Sequence, residues 1–232
     1  MKKYNFNAGP SALPNEVFKY SSEAIKELDK TGLSLLEISH RSNEFSEIIT
    51  RAKDLALKIS NLDQDEYEVL FLQGGASHQY LMVASNFLNN VAGYINTGTW
   101  SEKAMAEAKF YGNVIEVASS KDRNHTYIPN NVQVLDSLDY LHITSNNTIF
   151  GTQFHEFPQT KSPLIADMSS DIFSRKIDFS KFDLIYAGAQ KNIGAAGVTL
   201  VILKKEFLKK NKRKIPSILS YQNHVDKQSL YN

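Results

Sequence analysis

Seven short runs rich in β-branched and aromatic residues punctuate the chain: "YEVLFLQ" (67–73), "VAGYINT" (91–97), "NVIEVA" (113–118), "YLHITS" (140–145), "PLIADM" (163–168), "DLIYAG" (183–188) and "GVTLVIL" (197–203). Each is nearly continuous in apolar residues, the pattern of strands buried on both faces. Helical stretches separate several of them, Ser77 to Leu88 after the first and Ser101 to Tyr111 after the second. That alternation is what βαβ units with a mostly parallel sheet require. Upstream, Val17, Phe18, Ala24, Ile25 and Leu28 recur at helical spacing and predict a helix from Asn15 to Lys30, entered at Pro14 and closed by Gly32. Phe45, Ile48, Ile49, Ala52, Leu55, Ala56 and Ile59 keep the i, i+3, i+4, i+7 pattern for four turns and predict a second. The expected class is α/β, and 232 residues of which 42% are hydrophobic supply one large core.

Composition narrows the chemistry. Lysine and arginine total 26 against 25 acidic residues, a net charge of +1, so no global field draws the chain to nucleic acid or anionic lipid. The basic stretch "KKEFLKKNKRK" (204–214) carries charge all round without interleaved aromatics and reads as a solvated helix face and loop. There is no run long enough for a membrane span and no secretory h-region, so a soluble, cytoplasmic protein is expected. With no cysteine, a disulfide framework, a thiolate nucleophile and a Cys-based metal site are all excluded; no metal is expected.

In an open α/β sheet, ligands bind at the carboxyl ends of the strands, so the residues just past each run carry the chemistry. After the first run, Gly74 and Gly75 permit a turn into a helix whose leading amides at Ala76, Ser77 and His78 form an anion cradle. After the second comes the only tryptophan, Trp100, beside Gly98. Asn147 and Thr148 follow the fourth, and Asp167 closes the apolar "PLIA". "DLIYAGAQ" delivers Lys191, followed by the small residues Gly194, Ala195, Ala196 and Gly197. Singly, each has a plainer reading: a glycine turn, a packing Trp, an Asn-rich turn, a capping carboxylate, a solvated lysine. Together they supply an anion cradle, a stacking surface, a carboxylate for a ring nitrogen and an amine able to condense with an aldehyde, the four needs of pyridoxal 5'-phosphate. A dinucleotide reading is weaker, since the third glycine of that fingerprint is missing.

The segments "FNAGPSALP", "EISHRS", "FLQGGAS", "NTGTWSEKA", "SNNTIFGT", "ADMSSDIFSR" and "YAGAQKNIGAAGVTLVI" resemble, in order along essentially the whole chain, the phosphoserine aminotransferases among the class V aminotransferases. The resemblance implies the large domain of the fold-type-I pyridoxal-phosphate transferases, a mostly parallel mixed sheet flanked by helices. Residues 1–14 would be an N-terminal arm and 15–232 the cofactor-binding domain. The family's small C-terminal domain would be missing, which implies a truncated chain with impaired turnover. The implied reaction moves an amino group from glutamate to 3-phosphohydroxypyruvate, giving phosphoserine and 2-oxoglutarate in serine biosynthesis, in a homodimer. Carried over residue by residue, Lys191 would bond the cofactor and shuttle protons, Asp167 would face the pyridine nitrogen, and Trp100 would stack on the ring. Thr148 would meet the phenolic side, and Ala76, Ser77, Gln190 and a neighbouring subunit's Asn232 the phosphate. Arg41, with His40, would meet substrate anions. Some members carry arginine where this chain has Ser77, so part of the substrate-phosphate grip would come from elsewhere. Competing expectations are a serine–glyoxylate type aminotransferase, a cofactor-binding fragment without turnover, a scaffold that keeps only the fold, and a dinucleotide-dependent oxidoreductase.

Overall fold

The computed structural model describes residues 3–130, 132 and 136–231. Helix α1 (Asn15–Lys26) follows Pro14, and α2 (Asn43–Ser60) follows Ser42, whose side chain accepts a hydrogen bond from the Phe45 amide. Next come β1 (Tyr67–Gln73), α3 (Ala76–Phe87), β2 (Val91–Asn96), α4 (Thr99–Ala108) and β3 (Asn113–Ser119). They are followed by β4 (Tyr140–Thr144), the two-residue strands β5 (Asn146–Asn147) and β6 (Thr152–Gln153), and β7 (Leu164–Asp167). The last third holds β8 (Leu184–Gly188), β9 (Val198–Lys204), α5 (Lys205–Leu208) and α6 (Tyr221–Asp226).

Among the described residues seven strands form one sheet in the order β1-β9-β8-β7-β4-β2-β3. The β8–β7–β4–β2–β3 block is parallel, and β9 pairs antiparallel with both β8 and β1. Two reversals restore the direction, so β1 runs with the block and β9 alone runs against it. The carboxyl ends of six strands therefore lie along one edge, together with the amino end of β9.

Side chains alternate across the pleat and build a core on each face. Leu70, Leu72, Tyr94, Tyr140, Tyr186, Val201 and Leu203 join α3, α4 and α5 on one face. Val69, Ile95, Leu141, Ile143, Ile185, Leu200 and Ile202 pack on the other with Ala56 of α2. Most of the expected strands are buried on both sides; β3 is not, because it is an edge strand and every one of its residues keeps some exposure. Helix α1 ends at Lys26, short of the Lys30 expected, because Asp29 and Lys30 adopt positive φ in the turn that follows. Its apolar residues are not covered: Phe18 is 58% and Tyr20 69% exposed. In the basic stretch, Phe207 and Leu208 are buried while Lys209 and Lys210 stay in solvent, so that segment also contributes to the core. The β5–β6 pair, too short for a periodic signal, was not expected. No helix among the described residues is long and apolar enough to cross a membrane.

One buried polar group makes stability depend on pH. His142 of β4 has its Nε2 2.7 Å from the Tyr186 hydroxyl and its ring stacked on Tyr94 at 4.9 Å. Burial pushes its pKa from 6.5 down to about 3, so it folds neutral. The unfolded chain binds a proton between those values that the folded chain does not, so stability is lost as pH falls from 6.5 toward 3. Denaturant unfolding at pH 7, 6 and 5 should show a stability loss containing up to about 1.4 kcal/mol per pH unit from this group. His142→Gln, which keeps a partner for Tyr186, should flatten that slope; an unchanged slope would count against the assignment.

Candidate active site

The ends of β4, β7 and β8 and the starts of α3 and α4 meet in a cleft of about 250 Å³. Its walls include Ala76, Ser77, Trp100, Asp167, Gln190 and Lys191. The turn after β1 opens it: Gly74 has φ +96°, and a Cβ there would sit 2.0 Å from the His78 ring, so only glycine fits. Its amide donates to Gly197 O at 2.9 Å, tying the turn to the start of β9. Helix α3 then begins at Ala76 with no acidic residue in its first turn, which leaves its leading amides and the positive end of its dipole facing the cleft. A Cβ on Gly188 would meet Gln190 Oε1 at 2.8 Å and Ala76 N at 3.4 Å, so β8 ends close against this helix start.

Trp100 lies in the first turn of α4, which starts after Gly98. Ser101 Oγ accepts from the Thr97 and Gly98 amides at 3.0 and 3.1 Å and holds that turn in place. The indole Nε1 is buried without a hydrogen-bond partner among the described residues. Lys191 Nζ lies 5.4 Å from the centre of the Trp100 ring and donates to Thr148 Oγ1 at 3.1 Å. The arm reaches the same place: Ser11 N donates to Gln190 O at 3.0 Å and Ser11 Oγ to Lys191 O at 2.5 Å.

Asp167 closes β7 with only 4% of its surface exposed. Its Oδ1 accepts from the Ser169 amide at 3.0 Å and from Ser169 Oγ at 2.6 Å, and its Oδ2 accepts from the Tyr80 hydroxyl at 3.4 Å. Burial raises the carboxyl above the usual carboxylate range, while Ser169, Lys191 and Tyr80 pull it back. Burial likewise lowers the Lys191 amine below the ordinary lysine range, and Asp167 pulls it up. Each charge thus restrains the shift that desolvation imposes on the other.

Of the residues singled out from sequence, the fold brings Ala76, Ser77, Trp100, Asp167, Gln190 and Lys191 to one cleft, with Thr148 bonded to the lysine. His40 and Arg41 are not among its walls; they occupy the turn before α2, where Arg41 N donates to Ser39 Oγ at 3.1 Å. Asn147 serves structure, its Nδ2 bonding Thr152 Oγ1 at 3.1 Å across the β5–β6 pair. Asn232 lies outside the described residues. Sequence reading passed over Tyr80 and Thr144 in the cleft wall. Ser169 was likewise not singled out; its place two residues after a strand-ending aspartate, where Asx turns form, is the usable signal.

The residues suit a phosphorylated pyridine aldehyde. The chain offers an amine of lowered basicity, a buried carboxylate with one oxygen lightly used, an indole face and a helix start free of negative charge. In the ligand-free protein, pH-dependent labelling of Lys191 by an amine-reactive reagent, followed by peptide mass, should give a midpoint below the ordinary lysine range. Asp167→Asn should move that midpoint lower still, because the carboxylate favours the charged amine. An upward move would reverse the electrostatic assignment.

Residues 3–218 match the Aminotransferase class-V family. The phosphoserine aminotransferase of Flavobacterium johnsoniae is 54% identical over 234 residues, covering all of this chain and 66% of that protein; that of Bacillus subtilis is 52% identical, covering 98% and 64%. Among solved structures, the phosphoserine aminotransferase from Bacillus circulans subsp. alkalophilus superposes with a TM-score of 0.95 at 43% identity, over 100% of this chain and 65% of that one. The phosphoserine aminotransferase of Trichomonas vaginalis, solved with pyridoxal phosphate bound, gives 0.92 at 32% identity over 100% and 66%. The chain therefore spans slightly under two thirds of the length of these relatives. The match over nearly the whole fold, cleft included, makes the chain a member of the class-V aminotransferase family.

Proposed function

We propose that the cleft holds pyridoxal 5'-phosphate and serves the transfer of an amino group from glutamate to 3-phosphohydroxypyruvate, giving phosphoserine and 2-oxoglutarate in serine biosynthesis. The observation that carries this reading is the convergence of Lys191 and Asp167 on one cleft, each shifting the other's titration. Relatives at 52–54% identity that are phosphoserine aminotransferases support the substrate assignment. The bound cofactor would supply an electron sink for the substrate's Cα.

The chain's own groups divide the remaining work. Lys191 Nζ, whose basicity burial lowers, is the base that takes a proton from Cα and returns it. Asp167, drawn toward its charged form by its Ser169 and Tyr80 donors, would keep the ring nitrogen protonated. Trp100 would present a flat face to the ring, and Thr148 Oγ1, next to the amine, would meet its phenolic side. The α3 amides at Ala76 and Ser77, with Gln190, would receive the phosphate. Arg41 with His40 would grip substrate anions by paired hydrogen bonds. The exposed Phe18 and Tyr20 of α1, with Tyr4 and Phe6 of the arm, offer the apolar surface that a second subunit of a cytoplasmic homodimer would cover.

Purified protein incubated with pyridoxal phosphate should gain visible absorbance that borohydride fixes onto Lys191, and Lys191→Ala should show neither. A protein that stays colourless ends the reading. On the loaded protein, phosphoserine should alter the spectrum at concentrations where serine and alanine do not. The reverse order of preference would favour the serine–glyoxylate type instead.

A further inference from the structure

Asp167 is not symmetrically used. Its Oδ1 is filled by two donors from Ser169, and Ser169 Oγ is itself fixed by accepting from the Gly188 amide of β8 at 3.0 Å. Its Oδ2 receives only the Tyr80 hydroxyl, at the long distance of 3.4 Å. A carboxylate has about four lone-pair sites, so Oδ2 is the oxygen with room for a further donor. Tyr80 is a buried residue of α3, 4% exposed, that also borders the cleft. Its ring is held edge-on against Tyr186 of β8, centroids 6.2 Å apart, which aims the hydroxyl at the carboxylate.

We propose that Tyr80 is a positioning residue of this site, its hydroxyl sharing Asp167 Oδ2 with the nitrogen of the bound pyridine ring. The inference rests on the function proposed above and adds a residue to it. Three titratable groups face Asp167: Tyr80 from α3, Tyr186 from β8 and Lys191 from the segment after β8. The Tyr186 hydroxyl is engaged by His142, so Tyr80 is the phenol that stabilises the carboxylate directly. Removing that donor leaves Asp167 to take up a proton at a higher pH and to lose its hold on a protonated ring nitrogen.

The test is a double-mutant cycle on pyridoxal phosphate binding, read by quenching of Trp100, the only tryptophan in the chain and a wall of the cleft. Tyr80→Phe keeps the ring and its contact with Tyr186 and should weaken binding by roughly fivefold to tenfold at neutral pH, as loss of one long hydrogen bond to a charged group predicts. The acid limb of its affinity–pH profile should shift upward. In an Asp167→Asn background the same substitution should cost nothing further. An equal penalty in both backgrounds, or an unmoved acid limb, would make Tyr80 a packing residue and overturn the proposal alone. A wild-type protein that does not bind pyridoxal phosphate would overturn both the proposal and the function on which it rests.

Discussion

The arrangement depends on burying a carboxylate and an amine at one sheet edge and letting each offset the other's desolvation. A lone buried aspartate would neutralise, and a lone buried lysine would shed its proton. Here Ser169, Tyr80 and Lys191 hold Asp167 toward its charged form, and Asp167 does the same for Lys191. Charges taken out of water contribute little to stability even where they attract one another, once desolvation is counted. Their place in the wall of a cleft suits chemistry better than stability: burial lowers the amine and raises the carboxyl from their ordinary ranges, as groups that move protons require.

The rest of the fold serves to bring these groups together. Strand β7 ends on Asp167, β8 ends three residues before Lys191, and their parallel pairing puts Asp167 beside Tyr186 in register. The glycine turn after β1 comes from the far edge of the sheet, yet its helix start lies against Gly188 because β9 is the only strand between β1 and β8. The start of α3 and the Lys191 amine thus reach one cleft from segments far apart in the chain.

Much of this was legible in the sequence, and for a physical reason. Buried strands announce themselves as apolar runs, and a charged residue that closes such a run must sit at the sheet edge. Asp167 and Lys191 could therefore be picked out before any coordinates. Tyr80 could not, because an aromatic on a buried helix looks like core, and only the helix's rotation against β8 turns its hydroxyl to the carboxylate. The end of α1 was misplaced since periodicity runs on through Leu28, while the positive φ of Asp29 and Lys30 is a tertiary choice. Strand β3 carried the apolar signal of a central strand but lies at the border, which strand order alone decides.

The single reversed strand has a mechanical outcome. Because β9 returns alongside β8, the segment that carries Lys191 is a closed hairpin, shut at its base where Ala189 N donates to Val198 O at 2.9 Å and at its side where Gly74 bonds Gly197. A loop anchored at both feet has little backbone freedom left to lose. In the function proposed above, capture of an aldehyde by the amine would leave mainly side-chain torsions to settle, because much of the backbone ordering has already been spent during folding.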